Sequence, residues 1–233
     1  SANVIEHFHG VKFEPTLARM RETVQIINTL MAGQKLVFHG KVFNLDRGFT
    51  LRFEPVRRHI PVYIASFRPK AVKVVAEIAD GWMPTMVPLQ QAKAQVDRFL
   101  GYVREAGRDP SQMTVRFLGV TVAKDKERAV EAAKAGTAFY IARMGDYYYQ
   151  QLCDMGLADD ANAIRQAWTE GGSAAGIAAV SDTLANSLGF VGSAEECRDR
   201  LAEEETAGIN LHNVAISGYD PAEEGRVYEQ LLK

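Results

Sequence analysis

The sequence predicts an α/β protein built on parallel strands. From residue 60 onward, short apolar runs alternate with stretches of helical periodicity, in the order strand, helix, strand, helix, strand, long helical segment, strand, helix. The run IPVYIA (60–65) is continuously apolar, β-branched and aromatic, the pattern of a strand buried on both faces. The chain has 233 residues, 47% hydrophobic and 24% charged, enough for one large globular domain. Two architectures satisfy this alternation, a doubly wound sheet and a (β/α)₈ barrel.

The elements follow in order. Residues 1–14 are irregular, punctuated by Gly10. A helix then opens at Pro15, with Leu17, Met20, Val24, Ile27 and Met31 on one apolar face and Gly33 as its C-cap. Strand formers around Leu36, Phe38, Val42, Phe43 and Leu45, broken by His39-Gly40 and by Asp46-Arg47-Gly48, predict small hairpin-like strands. After IPVYIA, Pro69 opens a helix whose inner face is Ala71, Val74, Val75 and Ile78; Asp80-Gly81 stops it, and Trp82–Pro84 is a very short strand. A helix over 89–106, a strand over 113–123 and an Ala-rich helix from Lys124 to about Met155 follow. Residues 156–188 read as short helices, an excursion expected at the carboxyl ends of the strands, near the mouth of a site. Ser193-Ala194-Glu195-Glu196 is a capping box, 210–217 is a last buried strand, and Asp220 with Glu223 starts the final helix.

Composition excludes several classes. A net charge of -2 argues against a nucleic-acid partner, which calls for a basic face. Mean hydropathy is -0.15 and no apolar run reaches the roughly 18 residues of a membrane helix, so no membrane partner is expected. Two cysteines, Cys153 and Cys197, are too few for a disulfide scaffold or a structural zinc site and read as buried, reduced thiols. No signal peptide opens the chain, which makes the expected location cytoplasmic.

The turn Ser66-Phe67-Arg68-Pro69 carries the strongest local chemistry. It closes a buried strand at its carboxyl end, where both architectures bind ligands. Pro69 at a first helical position leaves the following N–H groups at a helix N-terminus, and Arg68 adds positive charge, which together describe an anion site for a phosphate; an ordinary βα turn with a solvated arginine is the alternative. His7 and His9 stand two apart but lack a third ligand, so no metal is expected. HGKV (39–42) lacks the glycine spacing and Ser/Thr of a phosphate-binding P-loop. No G-x-G-x-x-G and no G-x-S-x-G occurs, which disfavours a dinucleotide fold and an α/β-hydrolase. With no evident nucleophile or acid–base dyad, the chemistry would be that of a cofactor.

FHGVKFEPTLARMRETVQIINTLMAG, FHGKVFNL, IPVYIASFRPKAVKVVAEIADGWMP and LGFVGSAEECRDRLAEEETAGIN together resemble, in order and over nearly the whole chain, the bacterial luciferase-like superfamily of flavin- and F420-dependent oxidoreductases. The resemblance implies a (β/α)₈ TIM barrel of the luciferase-like type, with IPVYIA, 82–84, 113–123 and 210–217 as its fifth to eighth strands. Residues 1–233 then form a single luciferase-like domain whose N-terminal barrel half is absent from this sequence, the C-terminal part of a longer chain. It implies that Ala65, Ser66, Phe67, Arg68 and Pro69 hold the cofactor phosphate, with Arg68 standing where many members have Gly, and that Ser1, Ala2 and Asn3 border the cofactor ring; Glu6 and His9 lie on the same loop. The cofactor implied is F420 or FMN, the reaction hydride transfer or monooxygenation on a small-molecule substrate, and a homodimer is left open. A non-catalytic flavin-binding relative of the same fold is the competing reading, and a phosphosugar-type barrel enzyme a third.

Overall fold

A computed structural model describes residues 4–233; the candidate residues Ser1, Ala2 and Asn3 lie outside the described residues. The chain folds as two compact units, residues 4–83 with 99–114, and residues 84–98 with 115–233.

In the first unit a π-helical turn (Val4–Phe8) precedes α1 (Thr16–Met31). Gly33, at φ +74°, ends α1 as expected: its N–H reaches the Leu30 carbonyl and that of Gln34 reaches Thr29. β1 (Leu36–His39) and β2 (Asn44–Phe49) pair as the predicted antiparallel hairpin. β3 (Tyr63–Ile64), α2 (Pro69–Ile78) and β4 (Gly81–Trp82) form a right-sized βαβ step, with β3 parallel to β4. α3 (Leu89–Glu105) ends in this unit, and β5 (Thr114–Val115) completes a sheet of order β3-β4-β5. The buried residues of α2 are Val72, Val74, Val75 and Ala76, with Ala79 buried at its C-cap; Val74 and Val75 are buried as expected, while Ala71 and Ile78 are only half-buried. Trp82, Phe99 and Val103 of the same unit are all without solvent exposure.

On α1 the buried residues are Val24 and, unexpectedly, Glu22, while Ile27 is exposed. The HGKV loop explains this. Its amides converge on the Glu22 carboxylate: Lys41 N–H donates to Oε1 at 2.7 Å, and those of Val42 and Phe43 to Oε2 at 2.9 Å each. The loop that fails as a P-loop is an anion nest whose anion is a side chain of its own chain. Burial pushes the Glu22 carboxyl up, but the amides of Phe43, Val42 and Lys41, with Arg19, outweigh it and hold it below the ordinary carboxylate value. The folded state therefore binds this proton less tightly than the unfolded chain. Glu22 contributes stability above the ordinary range and loses it as pH falls through its folded value. Glu22→Gln is expected to be less stable than the parent at neutral pH, with the gap closing as pH falls below the ordinary carboxylate value in a urea-denaturation series; a gap constant with pH contradicts this account.

In the second unit β6 (Val120–Ala123) is followed by four helices, α4 (Lys126–Arg143), α5 (Asp146–Asp154), α6 (Ala158–Ala178) and α7 (Asp182–Leu188). The single helix expected from Lys124 to Met155 is two, because Gly145 at φ +77° breaks it. β7 (Phe190–Gly192), α8 (Ala194–Thr206), β8 (Val214–Ser217) and α9 (Pro221–Leu231) follow. β6 lies between β7 and β8, parallel to both, with Val122 opposite Gly192 and Ile216. Val120, Val122, Cys197, Val227 and Leu231 form the core beneath this sheet. The capping box at Ser193 is present, its hydroxyl accepting from Glu196 N–H and the Glu196 carboxylate from Ser193 N–H. Glu223 likewise accepts from Asp220 N–H. Neither cysteine forms a disulfide. Cys197 is buried as expected, and desolvation pushes its thiol up to about 11; Cys153 is only half-buried. Among the described residues no helix is long and apolar enough to cross a membrane.

Two expectations about the strands are corrected. The runs 60–65, 113–123 and 210–217, expected as strands of one barrel sheet, do not share one continuous sheet. The 113–123 run is interrupted at Leu118 (φ 63°) and Gly119 (φ 132°), so its two halves pair in different three-stranded sheets. Four strand runs were expected from residue 60 and six short strands are present, the unforeseen one being β7.

Candidate functional site

The Ser66–Pro69 turn leaves β3 at its carboxyl end, as the sequence predicts. Ala65, Arg68 and Pro69 are exposed, Ser66 is half-buried and Phe67 is buried. Arg68 is the N-cap of α2 with extended backbone (φ −61°, ψ 133°), and Pro69 occupies the first helical turn. The amides of Ala71 and Val72 both donate to the Arg68 carbonyl, at 2.9 and 3.0 Å. Pro69 has no N–H, so the Lys70 amide is the first-turn donor that the helix itself does not use. The turn is thus narrower as an anion site than its sequence suggests: one helical amide, adjoining turn backbone and the side chain of Arg68. These groups, with no carboxylate among residues 65–70, fit a phosphate.

Behind the turn, the indole Nε1–H of Trp82 donates to the Ser66 carbonyl at 2.6 Å. Trp82 stacks on Phe99, with centroids 5.1 Å apart and planes at 29°. Met83 N–H reaches the Ile64 carbonyl at 3.0 Å, carrying the β3–β4 pairing beyond the strands proper. The sequence marked Trp82 as the start of a strand and gave no sign of its polar end.

At the amino-terminal side of β3, Asp80 accepts from Val62 N–H at 2.8 Å and contacts His59 Nε2 at 3.0 Å. Asp80 thus braces the entry to β3, opposite in chain direction to the turn. Glu6 accepts from Phe13 N–H at 3.1 Å, and His9 is exposed with its ring edge-on to Phe8. Among the described residues no group of three or more His, Cys, Asp or Glu could hold a metal ion.

In the second unit the loop leaving β4 carries Met86 in the left-handed region, at φ 58°. Buried Gln151 of α5 holds it there, its Nε2 donating to the carbonyls of Thr85 and Met86 at 2.6 and 2.9 Å. Gln91 Nε2 donates to the Met155 carbonyl at 2.6 Å. Within this unit α5 and the residue that follows it are thus bonded to residues 85–91. Nothing in the local sequence announces it. At the carboxyl ends of β6 and β8, Lys124 Nζ pairs with Glu223 at 2.9 Å and lies over the Tyr219 ring. The hydrogen bond that Lys124 donates to Glu223 holds its ammonium above its ordinary value. A cavity of about 590 Å³ opens beside α4, α5 and α6, lined by Arg143, Asp146, Arg165 and Trp168 among others. Its Arg165 is committed to structure, donating to the Ile141 and Gly145 carbonyls and pairing with Asp146.

Comparison with known proteins places the chain in a family. Residues 1–211 match the family described as luciferase-like monooxygenase. The 5,10-methylenetetrahydromethanopterin reductase of Archaeoglobus fulgidus is 30% identical over 209 residues, covering 86% of this chain and 60% of that protein. Among solved structures, the coenzyme F420-dependent tetrahydromethanopterin reductase of Methanopyrus kandleri superposes with a TM-score of 0.72 at 20% identity, over 92% of this chain and 61% of that one. An F420-dependent secondary alcohol dehydrogenase, solved with an F420-acetone adduct, gives a TM-score of 0.65 at 20% identity, over 94% and 64%. The chain thus spans about three fifths of the length of these relatives. The structural likenesses show an α/β fold of the luciferase-like type, and the match over residues 1–211 gives the identity: the chain belongs to the luciferase-like monooxygenase family.

Proposed function

We propose that this protein is an F420-dependent oxidoreductase that transfers hydride between the deazaflavin and a small-molecule substrate, with the turn Ala65–Pro69 holding the cofactor phosphate. The observation that carries the reading is that turn: it lies at the carboxyl end of a parallel strand, with Pro69 in the first helical turn and exposed Arg68 at the N-cap. The names of the reductase and dehydrogenase relatives support F420 in preference to FMN. The family's description as monooxygenases supports a second reading, FMN with O₂ as co-substrate.

When bound, the cofactor supplies the hydride chemistry at its central ring; the chain's part is to bind and orient it. Lys70 N–H and the Arg68 guanidinium would hold the phosphate, and buried Phe67 and Trp82 would keep the turn's inner side dry. Ser1, Ala2 and Asn3 are proposed to border the ring, on family resemblance alone. The strands from residue 60 are proposed, on the same basis, to be later strands of a luciferase-like (β/α)₈ barrel, with residues 1–233 belonging to one such domain.

Incubating the protein separately with F420 and with FMN, and measuring cofactor retained after gel filtration, tests the reading. F420 is expected to be retained in preference, and its absorbance to bleach with a hydride-donating secondary alcohol or recover with an acceptor. Retention of neither cofactor overturns the reading. Retention of FMN with substrate-dependent O₂ consumption selects the second reading, and retention without any turnover selects a binding protein.

A further inference from the structure

The Ser66 carbonyl of the turn has a side-chain partner from a different element. That partner, Trp82, has no solvent exposure and is clamped against Phe99. Its indole N–H is its single donor, and at 2.6 Å it is committed to Ser66. Trp82 lies on β4 directly opposite Ile64 of β3, two residues before Ser66, so strand register sets the reach of the side chain. The Met83 N–H to Ile64 carbonyl bond fixes the same pair of strands one step further on.

We propose that Trp82 is a positioning residue for phosphate binding, its N–H setting the orientation of the Ser66–Phe67 peptide; this rests on the phosphate reading of the turn. A trans peptide is a rigid plane whose C=O and N–H point in opposite directions. Anchoring the Ser66 carbonyl inward therefore fixes the whole plane and the direction in which the chain enters Arg68 and Pro69. Two residues further on, the Arg68 carbonyl is held in the same way by the amides of Ala71 and Val72. Between these anchors the turn has little freedom left, and a preorganised anion site loses less on binding than one that must be ordered by its ligand. Trp82 touches no part of the ligand: it acts through the backbone of Ser66.

The consequence is specific to the phosphate. Removing the indole N–H should weaken binding of phosphate-bearing cofactors and leave phosphate-free ones alone. Two replacements separate the hydrogen bond from the packing: Trp82→Phe, and 3-benzothienylalanine at position 82, in which sulfur replaces the N–H in a ring of the same shape. Dissociation constants would be measured for FMN against riboflavin, and for F420 against its phosphate-free deazaflavin riboside, with thermal denaturation as a check on folding. The expected result is about a fivefold to tenfold loss for the phosphate-bearing member of each pair, the scale of one hydrogen bond, with the other member unchanged. A benzothienyl variant that keeps the parent's preference for the phosphate-bearing forms overturns the role of Trp82 while the phosphate turn stands. Equal losses for both members of a pair mark a purely structural role and also overturn it. A parent protein with no preference for the phosphate-bearing forms overturns the turn itself, and the Trp82 proposal with it.

Discussion

Replacing Gly119 by alanine is expected to destabilise the protein by about 3 kcal/mol, the sum of backbone strain and overpacking at a site that cannot give way. Gly119 sits at φ +132°, where L side chains are rarely found, and a Cβ there would lie 2.5 Å from the Asn213 carbonyl oxygen and 2.8 Å from the Asn213 Cβ. The same carbonyl accepts from Val120 N–H at 2.9 Å, so moving it disturbs the β6–β8 pairing. The Gly119 carbonyl in turn accepts from Phe190 N–H, where β7 begins. One glycine thus joins the starts of three strands. In a protein of this size the loss corresponds to a fall in melting temperature of about 6–12 °C. Gly136→Ala, in the middle of α4 with open space around its Cβ, is the control. It is expected to be neutral or to stabilise by up to about 1 kcal/mol. Equal melting temperatures for the two variants contradict the account.

The second large effect is expected at Glu204, which has no solvent exposure. Its carboxylate accepts from Gly119 N–H at 3.2 Å, contacts His212 Nδ1 at 3.2 Å and lies 3.8 Å from Arg200 Nε. Arg200 is itself nearly buried, with Nη2 donating to the Asn186 carbonyl and Nε lacking a hydrogen-bond partner. Glu204→Leu leaves that guanidinium with the exposed Glu203, 3.7 Å away, as its remaining acidic partner and leaves the Gly119 amide without its acceptor, which together should cost about 3 kcal/mol in urea denaturation. Glu204→Gln keeps an acceptor for the Gly119 amide and should cost less. The pH dependence has a defined sign. Burial raises the Glu204 carboxyl above its ordinary value, with His212, the Gly119 amide and Arg200 opposing. The folded state holds this proton more tightly, so the contribution of Glu204 falls as pH rises from the ordinary carboxylate value through the folded one. That is the reverse of Glu22, and Glu204→Gln should remove it. A Glu204→Leu variant as stable as the parent would contradict this reading of the cluster.

What was legible in the sequence was local. Gly33, Ser193-x-x-Glu196 and Asp220-x-x-Glu223 mark helix ends by the chemistry of one turn, and each is where it was expected. The hairpin and the Ser66–Pro69 turn were legible for the same reason. What was missed depends on partners distant in sequence. β7 is three residues long and sits between a helix end and a capping box, too short to show a period. The left-handed Leu118 has no local signature, so the 113–123 run reads as one strand. Glu22 looks like a solvated helix residue until the amides of residues 41–43 are folded onto it. Gln151 and Trp82 read as ordinary helix and strand residues because the carbonyls they hold, at 85, 86 and 66, lie 66, 65 and 16 residues away.

The central claim is that the turn after β3 takes the cofactor phosphate, and a direct titration tests it. F420 and its phosphate-free riboside would be titrated into the parent, Arg68→Glu and Arg198→Glu, the last lying on α8 with its guanidinium on the Gln230 carbonyl. The account predicts that the parent prefers F420, that Arg68→Glu weakens F420 about tenfold or more while leaving the riboside unchanged, and that Arg198→Glu binds both like the parent. Indistinguishable F420 affinities for the parent and Arg68→Glu would contradict it.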